Sequence, residues 1–164
     1  MQLRDGREVR VRPTTTTDSG AMQELFYRLS EEDVETRFFQ KLKSLTDTVA
    51  QHLCSVDYEE EMAFAAVVGP SERERIVAAS SYYLSPATGL AEVAYMVDPE
   101  WQGAGLGGLL HARMLEYGQE HGVRGFRADV RMGNTRMMRV FRRAGHELSV
   151  TTDAGVQEVT MRFT

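Results

Sequence analysis

Hydrophobic and polar positions change period along this chain, and the changes separate strands from helices. Over residues 8–12 charged and apolar residues alternate, with Val9 and Val11 turned inward, as in a half-buried strand. Thr14 to Asp18 offers several residues able to cap a helix, and helical spacing follows over 21–29. Ser30-Glu31-Glu32-Asp33 reads as a second helix start, with Ser30 as cap and Asp33 at the third helical position. Another helix is expected from Thr46 or Asp47 to Cys54. Residues 62–68, 75–84 and 90–97 read as three strands, set off by Gly69-Pro70 and by Ser85-Pro86-Ala87-Thr88-Gly89. The last of these is nearly continuously apolar, which predicts burial on both faces. Residues 105–122 are helical, with Leu106, Leu109, Leu110, Met114 and Tyr117 at three-to-four spacing and Gly122 as stop. A strand over 126–130, a helix over 134–144 ending at Gly145, and an antiparallel pair over 147–150 and 157–163 around Asp153-Ala154-Gly155 complete the chain. No repeat or linker interrupts this order. It predicts one α/β (α+β) domain over residues 1–164.

The densest chemical signal is Trp101-Gln102-Gly103-Ala104-Gly105-Leu106-Gly107-Gly108, between the third strand of that group and the long helix. Glycines let backbone N–H groups approach an anion, and the first helical turn adds unpaired N–H groups with the positive end of the dipole. The segment therefore reads as a phosphate cradle. Two codes overlap in it. Gly103, Gly105 and Gly108 spell G-x-G-x-x-G, a dinucleotide fingerprint, and Asp129 stands near the place of its ribose-binding acid. Gln102, Gly105 and Gly107 spell Q-x-x-G-x-G. The dinucleotide code needs its first glycine at the strand end, whereas Asp98-Pro99-Glu100-Trp101-Gln102 intervenes. Only 56 residues follow Gly108, too few for the rest of a doubly wound domain.

Composition narrows the field. A net charge of −5 supplies no dominant basic field for nucleic acid. Cys54 is the single cysteine, so there is no internal disulfide, and a reducing cytoplasm is the expected location. No apolar run approaches the roughly 20 residues of a membrane span. His52, His111, His121 and His146 lack metal-ligand spacing, so no metal is expected.

The element order with the Q-x-x-G-x-G loop resembles the GCN5-related N-acetyltransferase (GNAT) fold along the whole chain. Asn134, opening a helix that ends Arg142-Arg143-Ala144-Gly145-His146, is similar to a second family segment, with His146 where phenylalanine is usual. Leu3-Arg4-Asp5-Gly6, Val9-Arg10-Val11-Arg12-Pro13, Leu29-Ser30-Glu31-Glu32, Thr36-Arg37-Phe38-Phe39, Asp57-Tyr58-Glu59-Glu60-Glu61 and Ala91-Glu92-Val93-Ala94-Tyr95-Met96-Val97 resemble more narrowly the acetyltransferase domain of bacterial Pat-type protein lysine acetyltransferases. Those enzymes acetylate a lysine of acyl-CoA synthetases.

The resemblance implies a mixed, mostly antiparallel central sheet with helices on both faces. It implies acetyl-CoA as co-substrate and a protein partner, an acyl-CoA synthetase lysine. The pyrophosphate would lie on Gly103, Ala104, Gly105, Leu106, Gly107 and Gly108, with Gln102 supplying a donor at the loop mouth. The pantetheine would pair with the backbone of Tyr95, Met96 and Val97, and an N–H near Val97 would hold the developing oxyanion. Asn134 is read both as a pantetheine contact and as a helix cap.

A lysine amine must lose its proton before attack, which costs roughly 4–5 kcal/mol at pH 7 for a pKa near 10.4. A general base offsets much of this. Glu92 is the only acid in residues 90–97, on the face of Leu90, Ala94 and Met96, where partial desolvation is expected. The alternative reading is an ion-paired or exposed strand residue. The Pat-type pattern has a glutamate at the matching place. Many enzymes of the fold protonate the leaving thiolate from a tyrosine seven residues after the asparagine; here Phe141 stands there, and Tyr82, Tyr83 and Tyr95 are open substitutes. Arg136, Arg139, Arg142 and Arg143 could meet the 3′-phosphate or form a wet helix face, and the acidic runs at 31–35 and 59–61 could attract a basic target or only water. Cys54 reads as a buried small residue. Two other functions share the same cofactor site: a small-molecule amine N-acetyltransferase and a non-catalytic CoA-binding module. Glu92 speaks against the second of these.

Overall fold

The structure is a computed structural model that describes residues 1–30, 46–54, 57 and 59–163. The second helix start at Ser30–Asp33, the Arg37-Phe38-Phe39 stretch and Tyr58 therefore fall outside or at the edge of the described residues.

The strands are β1 (Arg10–Pro13), β2 (Glu61–Val68), β3 (Arg75–Leu84), β4 (Leu90–Val97), β5 (Gly125–Arg131), β6 (Glu147–Asp153) and β7 (Val156–Arg162). The helices are α1 (Ser19–Arg28), α2 (Asp47–Cys54), α3 (Leu106–Glu120) and α4 (Thr135–Arg143). One sheet has the order β1-β2-β3-β4-β5-β7-β6, and only β4 and β5 run parallel. Pro13 lacks an N–H for a ladder, and it sits at the end of the edge strand β1. The turn from β6 to β7 places Ala154 at φ +50° and Gly155 at φ +79°, the left-handed pair that lets a two-residue hairpin follow the strand twist. This hairpin is longer than the alternation alone suggested, because β6 is exposed along most of its length and its polar residues do not advertise a strand.

Each face of the sheet carries its own core. Leu106, Leu110 and Met114 recur at a spacing of four on α3 and are fully buried; with Met138 and Phe141 of α4 they cover Ala78, Tyr82, Ala91, Val93 and Phe126. Cutting one of the buried leucine, methionine or phenylalanine side chains of this core to alanine costs about 2–5 kcal/mol through lost burial and the cavity left behind. On the opposite face Met22 and Leu25 of α1 and Cys54 of α2 cover Ala65, Val67, Ile76, Ala79 and Met96. Burial pushes the Cys54 thiol up to about 11, in keeping with a packing residue. The two-sided burial expected of β4 fails at Glu92, which is exposed, whereas β2 and β3 are buried along most of their length. Among the described residues the second core meets β4 at Met96 and does not reach its Leu90 end.

Candidate active site

The site begins where the sheet splits. β4 and β5 pair at Leu90↔Gly125, Ala91↔Phe126 and Glu92↔Arg127, and no further. Beyond those pairs β5 follows β7 to Arg131, while β4 stays with β3 to Val97. The two halves diverge and a wedge opens beside residues 93–97. Hydrogen bonds at both ends of β4 fix which backbone groups line it. Asp98 N donates to Val77 O at 2.9 Å and Ser85 N donates to Leu90 O at 2.9 Å. In an antiparallel ladder alternate residues turn their N–H and C=O to the same neighbour. Glu92, Ala94 and Met96 therefore bond β3, and Val93, Tyr95 and Val97 turn theirs toward the wedge. This corrects one expectation. Met96 offers its backbone to β3 and its buried side chain to the α1–α2 face, and Val93 joins Tyr95 and Val97 on the wedge edge. Apolar pattern alone carries no hydrogen-bonding phase, so the sequence could not make that distinction.

At the end of β4 a buried carboxylate sets the path of the chain. Asp98, 1% exposed, accepts from Arg28 Nε at 2.6 Å, from Arg75 Nη2 at 3.2 Å and from the Glu100 amide at 2.9 Å. Burial alone would raise its pKa, but the Glu100 amide and the two guanidinium groups outweigh it and hold the carboxyl below its ordinary value. Asp98 caps the 3₁₀ turn Pro99–Trp101, which delivers the chain to the glycines.

Gly103 (φ +81°) and Gly105 (φ +91°) adopt the left-handed backbone that other residues enter at a cost. Ala104 and Leu106 turn their side chains into the core, so they present backbone only. The amides of residues 103–108 donate to no protein acceptor among the described residues; the first to do so is Leu109 N, to Gly105 O at 3.0 Å. These N–H groups stand at the positive end of α3. Gly108 has an ordinary helical backbone, and a Cβ there would meet nothing within 4 Å. Neither conformation nor packing within the protein demands that glycine. The loop fits a diphosphate.

Gln102 stands between the wedge strand and α4. Its Nε2 donates to Val97 O at 3.1 Å, and its Oε1 accepts from Arg136 of α4. The side chain ties the end of the wedge strand to α4. Asn134 does cap α4, accepting from Met137 N at 3.2 Å. Its side-chain amide nitrogen keeps no protein acceptor among the described residues, so the cap and the ligand contact remain compatible.

The other face of the wedge carries a polar row. Register places Glu61 opposite Tyr83, Tyr83 opposite Glu92, and Glu92 opposite Arg127. Directly opposite residues share a face, so two carboxylates flank Tyr83 where the split begins. Glu92 is exposed rather than partly desolvated as the apolar run suggested. Arg127, whose pKa is raised chiefly by Glu158, also feels Glu92 and Asp129. Toward α1 and α2 the same face closes on a small cavity of about 20 Å³, where the hydroxyl residues Thr14, Ser80 and Ser81 meet the apolar Met22, Leu53 and Met96.

The three open tyrosines separate clearly. Tyr82 is buried between Tyr117 and Phe126, and burial raises its pKa to about 12. Tyr83 belongs to the acidic row. Tyr95 hydrogen-bonds Nδ1 of His111 on α3, beside Phe141. Burial holds the Tyr95 hydroxyl protonated, and burial with the nearby His146 lowers His111 to about 4, so that pair is neutral at pH 7. His111 is 1% exposed and its Nε2 has no partner among the described residues. Nothing in the helical spacing around His111 signalled this pairing, nor the roles of Arg28 and Asp98.

The family model for the acetyltransferase (GNAT) domain matches residues 8–147. The chain belongs to that family. Its dinucleotide reading fails on the same ground: the sheet is antiparallel apart from one pair, and Gly103 lies beyond a 3₁₀ turn. "Acetyltransferase PA5475" of Pseudomonas aeruginosa is 30% identical over 122 residues, 74% of this chain and 66% of that protein, so the chain spans a little under two-thirds of that relative's length. The GNAT domain of S. lividans PAT superposes with a TM-score of 0.89 at 26% identity, covering 99% of this chain and 95% of that one. The acetyltransferase yncA of Salmonella typhimurium, solved with its cofactor acetyl-CoA, superposes at 0.77 and 13% identity over 96% and 95%, a likeness of fold. Among the described residues no cluster of His, Cys, Asp and Glu could hold a metal, and no helix is long and apolar enough to cross a membrane.

Proposed function

We propose that this chain transfers the acetyl group of acetyl-CoA to the ε-amine of a protein lysine, with an acyl-CoA synthetase as target, and that Glu92 is the general base. The observation that carries the reading is the pairing of two unfilled hydrogen-bonding surfaces. The free amides of residues 103–108 suit the diphosphate, and the wedge edge of Val93, Tyr95 and Val97, where Gln102 already fills the Val97 carbonyl, suits the amide-bearing pantetheine arm. Asn134 and the Val97 N–H would orient the thioester, and that N–H would stabilise the oxyanion as the amine adds.

The acceptor enters from the opposite face. There Glu61 and Glu92 favour a cationic amine. Glu92, at the mouth of the wedge, takes the proton that the ammonium must shed. Its exposure suits a proton path through one water rather than a sealed contact. The likeness to the S. lividans PAT domain supports a protein acceptor over a small amine. The tyrosine acid of many relatives is replaced by Phe141, and a thiolate with pKa near 8.5 is a tolerable leaving group without it.

Incubation with labelled acetyl-CoA and a panel of acyl-CoA synthetases tests this. Label should appear on synthetase lysine, and Glu92→Gln should lower kcat by about 100-fold at unchanged CoA affinity. Acetylation of small amines but of no protein would overturn the protein acceptor, and full activity of Glu92→Gln would remove Glu92 as base.

A further inference from the structure

Residues 1–9 form a small clasp against the glycine loop. Leu3 is buried, Gly6 turns at φ +89°, Gln2 bridges to Glu8, and Val9 N donates to Met1 O at 2.8 Å. Two arginines of the clasp touch the loop, and they differ in how their charge is met. Arg7 lies 3.9 Å over the Trp101 ring, donates to Glu100 O at 3.0 Å and pairs with Asp5 at 2.6 Å, so its charge is neutralised locally. Arg4 has no carboxylate partner among the described residues. Its amide donates to Ala104 O and its Nη2 to Gly103 O, both at 3.4 Å. Its Nε lies only 3.0 Å from where a Cβ on Gly105 would stand.

This placement is electrostatically frustrated. Gly105 caps the N-terminus of α3, where the helix dipole is positive and the amides of 103–108 are unfilled. Helix N-termini favour anions, so a guanidinium there that meets no carboxylate, only the Gly103 carbonyl at 3.4 Å, is poorly compensated. The side chain is exposed and could swing into water, yet the clasp's backbone bond to Ala104 fixes its root at the loop. Departures from such local rules gather at functional sites. An anion between the guanidinium and the helix end is attracted by both.

We propose that Arg4 is a cation of the diphosphate site, reaching the CoA diphosphate from the N-terminal clasp and tuning affinity for CoA-borne over pantetheine-borne acetyl groups. The assignment rests on the reading of residues 103–108 as a diphosphate cradle. A planar fork of N–H donors suits that ligand better than an ammonium. The contact also closes the clasp over the loop, so cofactor binding and order of residues 1–9 are coupled.

Calorimetric titration of Arg4→Gln and Arg4→Lys with CoA and with dephospho-CoA, and turnover with acetyl-pantetheine, test the proposal. Arg4→Gln should raise Kd about tenfold for both CoA and dephospho-CoA, and Arg4→Lys should recover part of it. Acetyl-pantetheine, which lacks the diphosphate, should turn over at the wild-type rate in both variants, which also shows that they fold. Unchanged CoA affinity in Arg4→Gln overturns the proposal. So does an equal loss with acetyl-pantetheine, which would make Arg4 a support of the loop alone. A loss with CoA that vanishes with dephospho-CoA moves the contact to the 3′-phosphate and overturns the diphosphate assignment. A wild-type protein that binds no CoA overturns the functional reading beneath it; a wild type that binds, with Arg4→Gln unaffected, overturns only the role of Arg4.

Discussion

Replacing Asp98 with alanine should be among the most damaging single changes outside the hydrophobic core. Asp98 joins three parts of the molecule: α1 through Arg28, β3 through Arg75, and the turn to the glycine loop through the Glu100 amide. Loss of the cap costs about 1 kcal/mol. Removing one partner of a fully buried ion pair costs about 3–5 kcal/mol, but the guanidinium partners here are 25% and 45% exposed, and water recovers part of that. A total near 3 kcal/mol follows, equivalent to a fall in Tm of roughly 6–12 °C for a domain of this size. Asp98→Asn keeps the cap and removes the charge, so it should lose about half as much. The folded pKa of Asp98 is depressed, so its stabilisation is complete above the unfolded carboxylate value of about 3.9 and disappears as pH falls through the lower folded value. Urea unfolding at pH 7 and at pH 2 measures both effects. The gap between wild type and Asp98→Asn should be wide at pH 7 and nearly closed at pH 2. A loss under 0.5 kcal/mol in Asp98→Ala (roughly the effect of an ordinary surface change), or a gap of equal width at the two pH values, would refute the reasoning.

Two further substitutions separate stability from binding in the glycine loop. Gly105→Ala forces a side chain into φ +91° and should cost about 1–2 kcal/mol in unfolding free energy, together with CoA affinity. Gly108→Ala places its methyl in open space on a helical backbone, so chemical unfolding should show a gain of roughly 0.5–1 kcal/mol while calorimetry shows weaker CoA binding. The buried Tyr95–His111 pair gives a third expectation. His111→Leu leaves the Tyr95 hydroxyl without its partner and should cost about 1–3 kcal/mol, whereas adding Tyr95→Phe should restore part of that in a double-mutant cycle.

The hydrophobic pattern determined most of the elements of this protein, because the periods of 2 and 3.6 are written locally. The strands β2 to β5 and the helices α3 and α4 fall within a residue or two of where the pattern places them. Gln102 to Gly108 announced an anion site for the same reason: glycine spacing and the start of a helix are neighbours in sequence. The long polar β6 was only half legible, since an exposed strand has no apolar alternation to show.

What the pattern could not carry was anything that depends on which groups meet across the sheet. The divergence of β4 from β5, and hence the wedge, depends on β5 preferring β7 past Glu92, a choice between strands far apart in sequence (Ala91 and Met161 both face Phe126) that leaves no local period. The hydrogen-bonding phase that turns Val93, Tyr95 and Val97 to the wedge and Met96 away from it is set by register with β3. The exposure of Glu92 is set by what packs on its face, where among the described residues α1 and α2 reach β4 at Met96, not by the apolar run that surrounds it. Asp98 with Arg28, Tyr95 with His111, and Arg4 against Gly105 are likewise pairs whose members look unremarkable alone. Local sequence fixes the conformation of a segment through its own sterics and hydration. Charge, burial and unfilled hydrogen bonds belong to neighbours brought together by the fold, and only the tertiary structure names those neighbours.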